Sequence, residues 1–357
     1  MSFFQPSFQA QSAAVRVRFG MNASDATMEE AKRLDLRRLL VLSTPQQSDT
    51  ALGFAKALGS RAAGVYSRAT MHTPVDVSED AVRHATAVDA DCVVAVGGGS
   101  TIGLGKAIAL RTDIPQIVVP TTYAGSEATP ILGQTDGGRK TTLTDPRVQP
   151  EVIVYDPELV KTLPVPMTVT SALNAMAHAA EALYARDRNP LTSVLAVEGI
   201  RAFHDALPRV IAAPEDLSAR GESLYGAWLC GTVLGQVGMA LHHKLCHTLG
   251  GAFDLPHAET HAIVLPHALA YNEAAVPELL APLRTILDGT TAAKGIHDLA
   301  NRLGAPQALK DLGVSAADLD RATDLALEKP YWNPREITKE GLRQLLQRAW
   351  DGAAPQG

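Results

Sequence analysis

The chain carries, at residues 94–106, the stretch VAVGGGSTIGLGK. It is typical of a buried strand that runs into a glycine turn and then into a helix. In such a turn, backbone N–H groups can approach phosphate oxygens, and the start of the helix adds partial positive charge. We therefore expect Gly97, Gly98, Gly99 and Ser100 to hold the diphosphate of a nucleotide.

This turn differs from two common phosphate-binding motifs. The dinucleotide fingerprint GxGxxG follows the first strand, whereas the first clear strand here, RLLVLS at 38–43, runs into Thr44-Pro45 without a glycine. A Walker A loop requires Ser or Thr after the lysine, and Ala107 follows Lys106. The sequence thus disfavours ATP chemistry.

Short apolar runs on both sides of the turn indicate a parallel sheet. They lie at 39–42, 92–96, 117–119 and 152–154, with helix-like stretches at 49–59, 77–88 and 100–111. Runs that are apolar at every position are typical of strands buried on both faces, with helices as crossovers. We predict an N-terminal α/β domain with a Rossmann-like parallel sheet over residues 1–160.

The character of the chain changes after Asp156-Pro157. Strand-like runs disappear, and helical spacing continues at 168–185, 190–206, 218–237, 239–250 and 340–351. A length of 357 residues suits two domains of about 150 residues each. We predict an all-helical domain over residues 161–357, with catalysis in the cleft between the two domains.

Hydroxyl side chains follow two of the predicted strands. The segment Pro120–Glu127 contains Thr121, Thr122 and Ser126, and Ser43 follows the first strand. Ligands of open α/β sheets bind at the carboxyl ends of the strands. We therefore expect these hydroxyls to complete the nucleotide site.

Charge and cysteine content exclude several classes of protein. The formal charge of −6 argues against a nucleic-acid partner, and the sequence has no apolar stretch long enough for a membrane span. The three cysteines are scattered, and the N-terminus does not resemble a secretory signal. We expect a cytoplasmic protein.

Histidines are concentrated in one part of the helical region. Six of the 11 lie between residues 242 and 267. His243 and His247 share a helix face, and we expect Gly250-Gly251 and Pro256 to break that helix and return His257 towards it. Asn174 and His178 form a second pair four residues apart. We expect both pairs to face one cleft.

Three further histidines are expected to lie outside this cleft. His261 and His267 fit an ordinary loop or surface position better than a site. His242 precedes His243 and should point about 100° away around the helix.

These motifs together resemble the group III, iron-containing-type alcohol dehydrogenases, and within them the maleylacetate reductase family. The resemblance covers nearly the whole chain and rests on GGGS at 97–100, the 120–127 segment, Asp156-Pro157, the histidine spacing, and Asn333-Pro334-Arg335. It implies a nucleotide domain followed by a helical catalytic domain, in the dehydroquinate synthase-like architecture.

The resemblance implies a metal site that this sequence has lost. Metal-dependent members hold Fe²⁺ or Zn²⁺ with one Asp and three His, and the matching positions are Asn174, His178, His243 and His257. A neutral amide brings no charge to offset that of the ion. Gly103 stands where those members usually have Asp. We therefore expect no bound metal.

The family reaction implied is NAD(P)H-dependent reduction of the carbon–carbon double bond of maleylacetate to 3-oxoadipate, in the degradation of aromatic compounds. The substrate is a small dicarboxylate, and chlorinated maleylacetates are possible analogues. Its enolate intermediate needs hydrogen-bond donors and a proton source, for which histidine is suited near neutral pH. We assign this role first to His243 and His247, with His178 and His257 as further donors.

Lys140 matches a basic position of the family and is a candidate for the ribose or for a substrate carboxylate, while Arg139 fits a solvated charge better. The sequence leaves the carboxylate-binding cation open among Lys140, Lys244 and Arg335. Without an acidic residue at Ser43-Thr44-Pro45, we expect NADH with some use of NADPH. The family also implies a homodimer.

Other functions remain open at this point. One is a metal-dependent alcohol dehydrogenase of the same superfamily. Others are a polyol or phosphate-eliminating enzyme related to glycerol dehydrogenase and dehydroquinate synthase, and a non-catalytic NAD-binding protein.

Overall fold

The computed structural model describes residues 3, 5–10, 14–20 and 22–356. The chain divides into two compact units, and the change occurs between Leu163 and Pro164. Residues 3 and 5–10 cluster with the second unit. An α/β unit is thus followed by a helical one, and the predicted fold class is confirmed.

The N-terminal unit is built on parallel strands. They are β1 (Arg16–Phe19), β2 (Leu39–Leu42), β3 (Ala62–Tyr66), β4 (Cys92–Gly97) and β5 (Gln116–Pro120), joined later by β8 (Val152–Tyr155). Their order is β1-β8-β5-β4-β2-β3, and all neighbouring pairs are parallel. Two further strands, β6 (Ile131–Asp136) and β7 (Arg139–Thr144), form an antiparallel hairpin.

Four helices cover the two faces of this sheet. They are α1 (Ala23–Arg33), α2 (Ser48–Leu58), α3 (Val75–Ala87) and α4 (Gly99–Thr112). Along β2, Leu39 and Val41 pack in one core with α1 and α2, whereas Leu40 and Leu42 pack in another with α3 and α4. Both faces of the central strands are therefore buried, as their continuous apolar runs predict.

The sheet brings three strand ends together. Strand β4 lies between β2 and β5, and Gly97 at its end pairs in register with Pro120. Because parallel neighbours end at the same edge, Ser43, the glycine turn and Thr121 lie side by side.

Helices are the regular secondary structure of the C-terminal unit among its described residues. Its helices are α5 (Val165–Ala182), α6 (Pro190–Ala212), α7 (Leu217–Leu234), α8 (Leu241–Phe253), α9 (His257–Glu273), α10 (Pro277–Ile286), α11 (Ala292–Arg302), α12 (Asp318–Leu327) and α13 (Lys339–Asp351). In the structurally described part of the chain, no helix combines the length and apolarity needed to cross a membrane.

Candidate active site

Helix α5 supplies three polar side chains to the interior of the helical unit. Asn174, His178 and Glu181 are spaced by four and three residues, so they share one face, and all three are buried. The rest of the helix is rich in alanine, which allows α7 and α9 to pack against it. A buried polar stripe on such a helix needs partners from its neighbours.

Helices α8 and α9 provide those partners. His242, His243 and His247 lie on α8, and His257 and His261 lie on the first turns of α9. The sequence-based expectation about the helix end was wrong in detail, because α8 continues through Gly250 and Gly251 to Phe253. The next residue, Asp254, caps the helix with a left-handed backbone, at φ 52°.

A chain of hydrogen bonds runs from Glu181 through His243 to His178. The Oε2 atom of Glu181 lies 2.7 Å from Nδ1 of His243, and Nε2 of His243 lies 2.8 Å from Nδ1 of His178. Glu181 also accepts hydrogen bonds from the backbone N–H groups of Ala240 and His242, at 2.9 and 2.8 Å. One fully buried carboxylate thus fixes both the start of α8 and the orientation of its histidine.

The charge of Glu181 determines the tautomer of His243. Burial opposes ionisation, but hydrogen bonds from His243 and from the α8 backbone hold the pKa of Glu181 below its usual value. A carboxylate can only accept, so Nδ1 of His243 carries the proton that faces it. In the neutral ring, Nε2 then accepts a hydrogen bond from Nδ1–H of His178.

A second pair of imidazoles lies beneath this chain. Nε2 of His242 is 2.9 Å from Nδ1 of His261, and both rings are fully buried. The His261 ring centroid lies 4.3 Å from that of His257 and 5.2 Å from that of His243. The expectation of a loop or surface position for His261 was therefore wrong, because α9 packs on the side of α8 to which His242 points and buries His261 there. His267, expected in a loop or on the surface, is also buried on α9.

The four histidines singled out from the sequence come together. Ring centroids are 5.0 Å apart for His178 and His243, 6.1 Å for His243 and His247, and 6.4 Å for His247 and His257. His247 and His257 are exposed, whereas His178 and His243 are nearly buried. The cluster therefore has an open side and a buried side connected to Glu181.

The glycine turn has the form expected of a phosphate site. Helix α4 begins at Gly99, and no side chain of the described residues caps its N-terminus. A Cβ atom on Gly98 would lie 2.8 Å from Cγ2 of Thr122, so the backbone and the 121–122 segment approach closely. Gln47 adds a residue that the sequence did not reveal, because its Nε2 donates to Oγ1 of Thr121 at 2.9 Å.

The other predicted nucleotide residues have different surroundings. Ser43 is buried, and its hydroxyl donates to Ser67 at 2.8 Å. The hydroxyl of Ser126 is buried and has no hydrogen-bond partner among the described residues. Ser126 follows Gly125, whose φ of 79° requires the left-handed region that glycine adopts readily. Ser126 is therefore the better placed of the two to bind a ligand.

Lys106 on α4 forms hydrogen bonds with the loop that carries Ser126. Its Nζ atom donates to the carbonyls of Ser126, Thr129 and Ile131 at 2.7, 2.7 and 2.9 Å, and to Oγ1 of Thr129 at 3.0 Å. Nearby, the hydroxyl of Tyr155 donates to Glu127 at 2.9 Å. The sequence analysis considered Lys106 only as the lysine of a Walker A loop, whose pattern it does not fit. The hydrogen bonds of Lys106 to the loop that carries Ser126 were not predicted.

The candidate substrate cations are placed differently. Lys140 and Arg139 are exposed on the hairpin strand β7. Arg335 donates to the carbonyl of Tyr271 at 2.8 Å and lies 4.3 Å from its ring centroid, and Lys244 lies 5.6 Å from the Tyr331 ring centroid. Arg335 is thus already committed to the protein itself.

Comparisons with known proteins agree with this geometry. Residues 14–157 match the family model described as iron-containing alcohol dehydrogenase, and residues 168–350 match the C-terminal model of the Fe-containing alcohol dehydrogenase family. The chain belongs to the iron-containing alcohol dehydrogenase family.

Within this family, the chain belongs with the maleylacetate reductases. It is 60% identical to the maleylacetate reductase of Rhizobium sp. (strain MTP-10005), over 98% of this chain and 99% of that one. It is 53% identical to that of Burkholderia cepacia, over 95% and 97%. The crystal structure of maleylacetate reductase from Agrobacterium tumefaciens has a TM-score of 0.96 at 61% identity, covering 99% of this chain and 100% of that one.

The metal site of iron-containing alcohol dehydrogenases fits these residues poorly. The set Asn174, His178, His243 and His257 contains no carboxylate, and Oδ1 of Asn174 is a neutral oxygen without a partner among the described residues. The nitrogens of His178 and His243 hydrogen-bond each other at 2.8 Å, closer than the roughly 3.3 Å expected for two ligands of a tetrahedral ion with bonds of about 2.05 Å. The carboxylate of Glu181 is occupied by hydrogen bonds with His243 and with the α8 backbone.

A second group satisfies distance alone as a metal site. The ligand atoms of His242, Cys246 and His261 lie within 4.8 Å of one another. However, Sγ of Cys246 is 4.0 and 3.7 Å from the two nitrogens of His242. Because the two distances are nearly equal, the sulfur does not lie along the lone pair of either nitrogen of His242. The geometry therefore does not favour a metal ion shared by these residues.

Gly103, which stands where the metal-dependent members usually have Asp, is closely packed against a neighbouring turn. A Cβ atom on Gly103 would lie 2.3 Å from Oγ1 of Thr73, so Thr73 fills the space of the missing side chain. His72 and Thr73 both have positive φ, at 64° and 47°, which is costly for a β-branched residue. A strained turn therefore packs Thr73 onto the first turns of α4.

Proposed function

We propose that the protein reduces the carbon–carbon double bond of maleylacetate to 3-oxoadipate with NADH, or less readily NADPH, and without a metal, in the degradation of aromatic compounds. The hydrogen-bonded chain Glu181–His243–His178 carries the mechanistic part of this proposal. The named relatives support the substrate. In this assignment residues 1–160 bind the nucleotide, and residues 161–357 supply the acid–base groups.

A bound reduced nicotinamide supplies the hydride. Addition at the carbon β to the ketone moves negative charge onto the ketone oxygen, where hydrogen-bond donors stabilise it. With an extra proton on the pair, His178 supplies such a donor from the ring nitrogen that does not face His243, while both nitrogens of His243 stay bonded to Glu181 and His178. The resulting enolate is delocalised and less basic than an alkoxide, so imidazole donors can replace a metal ion.

The second step is delivery of a proton to the carbon α to the ketone. The carboxylate of Glu181 stabilises an extra proton on the pair His243–His178. His178 then donates that proton from the ring nitrogen that does not face His243. His247 and His257, on the open side, provide further donors and connect the pair to solvent.

The glycine turn and the hydroxyl loop fit a dinucleotide. The uncapped start of α4 and the backbone at Gly97–Ser100 suit the diphosphate, and Thr121, Thr122 and Ser126 suit its neighbouring groups. No carboxylate follows β2 to repel a 2′-phosphate. Exposed Arg68, one residue after the partner of Ser43, already pairs with Asp80 at 3.2 Å, so a 2′-phosphate would compete with that carboxylate and NADPH should bind less readily than NADH.

The decisive experiment is NADH oxidation with freshly prepared maleylacetate, before and after treatment with a chelator. We expect rapid oxidation that chelation does not change. Turnover that requires added Fe²⁺ or Zn²⁺, or that occurs only with simple alcohols and NAD⁺, would instead establish a metal-dependent alcohol dehydrogenase. Tight NADH binding with no turnover would establish a non-catalytic protein.

One variant tests whether the amide of Asn174 is the reason for the expected lack of metal binding. Asn174→Asp restores a carboxylate to the four-residue set, and we expect it to bind Zn²⁺ more tightly than the unaltered protein in a calorimetric titration. Equal affinity in both proteins would contradict the role given to the amide.

We also propose a cytoplasmic homodimer. Strand β1 is at the edge of the sheet, with Phe19 about half exposed, and an open strand edge is suited to pairing. The three cysteines are free and buried, which suits a reducing compartment. Light scattering should give twice the mass of one chain.

A further inference from the structure

A cavity of about 360 Å³, open to solvent and with Arg186, Asp187 and Gly238 exposed, lies next to the start of α8. Its walls are formed by Arg186, Asp187, Gly238, Met239 and Trp332. Pockets for small ligands measure roughly 300–1,000 Å³, so this one suits a molecule of a few carbon atoms. It combines a cation with a flat aromatic wall.

Arg186 is not engaged by the protein. In the part of the chain that the structure describes, no hydrogen bond or ion pair involves its guanidinium group. Asp187 uses both carboxylate oxygens to accept from the N–H of Gly238, at 3.0 and 3.1 Å, and so holds the opposite wall in place. The five N–H donors of Arg186 therefore remain available in the planar arrangement that matches a carboxylate.

The cavity is connected to the histidine cluster through Glu181. Its carboxylate binds the N–H of Ala240, next to the cavity residue Met239, and also binds the ring of His243. Met239 precedes His243 by four residues, about one helical turn. The same side chain thus holds both the cavity wall and His243, which hydrogen-bonds the proposed proton donor His178.

Trp332, another lining residue, is next in sequence to a residue that contacts α8. Trp332 follows Tyr331, whose ring lies under the ammonium group of Lys244, the residue after His243. The residue beside Trp332 thus contacts the residue that follows His243.

We propose that Arg186 binds one carboxylate of the substrate, with Trp332 as the wall against which the carbon chain lies. This inference rests on the proposed function, since it names the group that recognises a dicarboxylate at that site. Of the three cations that the sequence left open, Arg335 donates to the carbonyl of Tyr271, Lys244 lies over the Tyr331 ring, and Lys140 lies on the β7 strand; none of them lines this cavity. The charge of Asp187 weakens general attraction of anions, so the paired hydrogen bonds from Arg186 decide which ligand binds.

Three variants test the assignment. Arg186→Met removes the charge, Arg186→Lys keeps it without the paired geometry, and Arg188→Met removes a nearby cation that does not line the cavity. Hydrogen bonds to charged groups contribute about 1.5–3 kcal/mol, which corresponds to a rise of roughly 10- to 100-fold in the KM for maleylacetate in Arg186→Met. We expect a smaller rise in Arg186→Lys, no rise in Arg188→Met, and an unchanged KM for NADH in all three.

A second measurement separates this inference from the proposed reaction. Adipate has six carbons and two carboxylates but no reducible double bond, and its binding is measured by calorimetry. We expect adipate to bind the unaltered protein and to bind Arg186→Met more weakly by a factor similar to the rise in KM. If the unaltered protein does not reduce maleylacetate but adipate still depends on Arg186, the proposed reaction is wrong and the cavity assignment is supported. An unchanged maleylacetate KM and adipate affinity in Arg186→Met, or equal losses in Arg188→Met, would overturn the cavity assignment.

Discussion

Glu181 is the side chain on which the proposed proton chemistry depends. Replacing it with glutamine keeps the size but removes the negative charge that stabilises a protonated His243–His178 pair. We expect kcat to fall by roughly 10²- to 10⁴-fold, as for loss of a general acid or of the group that orients it. The affinity for NADH, measured by fluorescence titration, should not change.

Glu273 offers a matched control for this substitution. It is also a buried glutamate that accepts backbone hydrogen bonds, from Ala292 and Ala293 at 2.8 and 3.2 Å, but it is the last residue of α9 and holds the start of α11. Glu273→Gln should lower the melting temperature without a selective loss of kcat. If both variants lost kcat equally, Glu181 would have only a structural role.

Residue spacing revealed part of this site and not the rest. The pairs Asn174–His178 and His243–His247 follow directly from helical periodicity. Glu181 was missed, although its position seven residues after Asn174 put it on the same face. His261 could not be placed, because its position depends on how α9 packs against α8, which no local pattern specifies.

At the scale of elements, Lys106 connects α4 to the loop that carries Ser126. Burial lowers the pKa of Lys106 to about 7, and the charge of Glu127 acts in the opposite direction. Three carbonyl oxygens around Nζ can only accept from it, and the Thr129 hydroxyl already donates to the carbonyl of Ser126, which favours the ammonium form. A fully buried lysine in this setting is a clamp that holds the loop in one position.

Removing the clamp should loosen nucleotide binding. In Lys106→Ala we expect a Kd for NADH about 10-fold higher, or about 1.4 kcal/mol, with kcat at saturating NADH largely retained. Ethylammonium, which can occupy the vacated space and charge, should partly restore the affinity. Arg111→Ala, an exposed cation on the same helix, is the control. A lower melting temperature with unchanged NADH affinity would show that Lys106 does not position the loop.

Prediction of elements succeeded where one physical signal was dominant. The four continuous apolar runs became β2, β4, β5 and β8, because burial on both faces demands apolar residues at every position. Strands β1 and β3 at the sheet edges, and the polar hairpin β6–β7, have mixed exposure and so lack that signal. Helix α8 continued through two glycines because its packing outweighs their low helix propensity.

At the scale of the whole molecule, the two units carry different parts of the proposed reaction. The N-terminal unit contains the glycine turn and its hydroxyl loops, and the C-terminal unit contains all the histidines of the cluster. Cofactor affinity and proton delivery should therefore respond separately to substitution.

Two variants, one in each unit, test this separation. In Gly98→Val, the new side chain meets Thr122 and crowds the diphosphate, so we expect NADH binding weaker by at least about 10-fold. In His243→Ala we expect kcat to fall by roughly 10²- to 10⁴-fold, while the Kd for NADH stays within the error of the titration.

Gly53→Ala, on α2, is the control for a glycine substitution that meets no neighbouring atom, because nothing lies within 4 Å of its new Cβ. This variant should match the unaltered protein in both measurements. The separation fails if His243→Ala weakens NADH binding as much as Gly98→Val does. In that case the histidine cluster would contribute to cofactor binding, and its assignment as the acid–base part of the reaction would have to be abandoned.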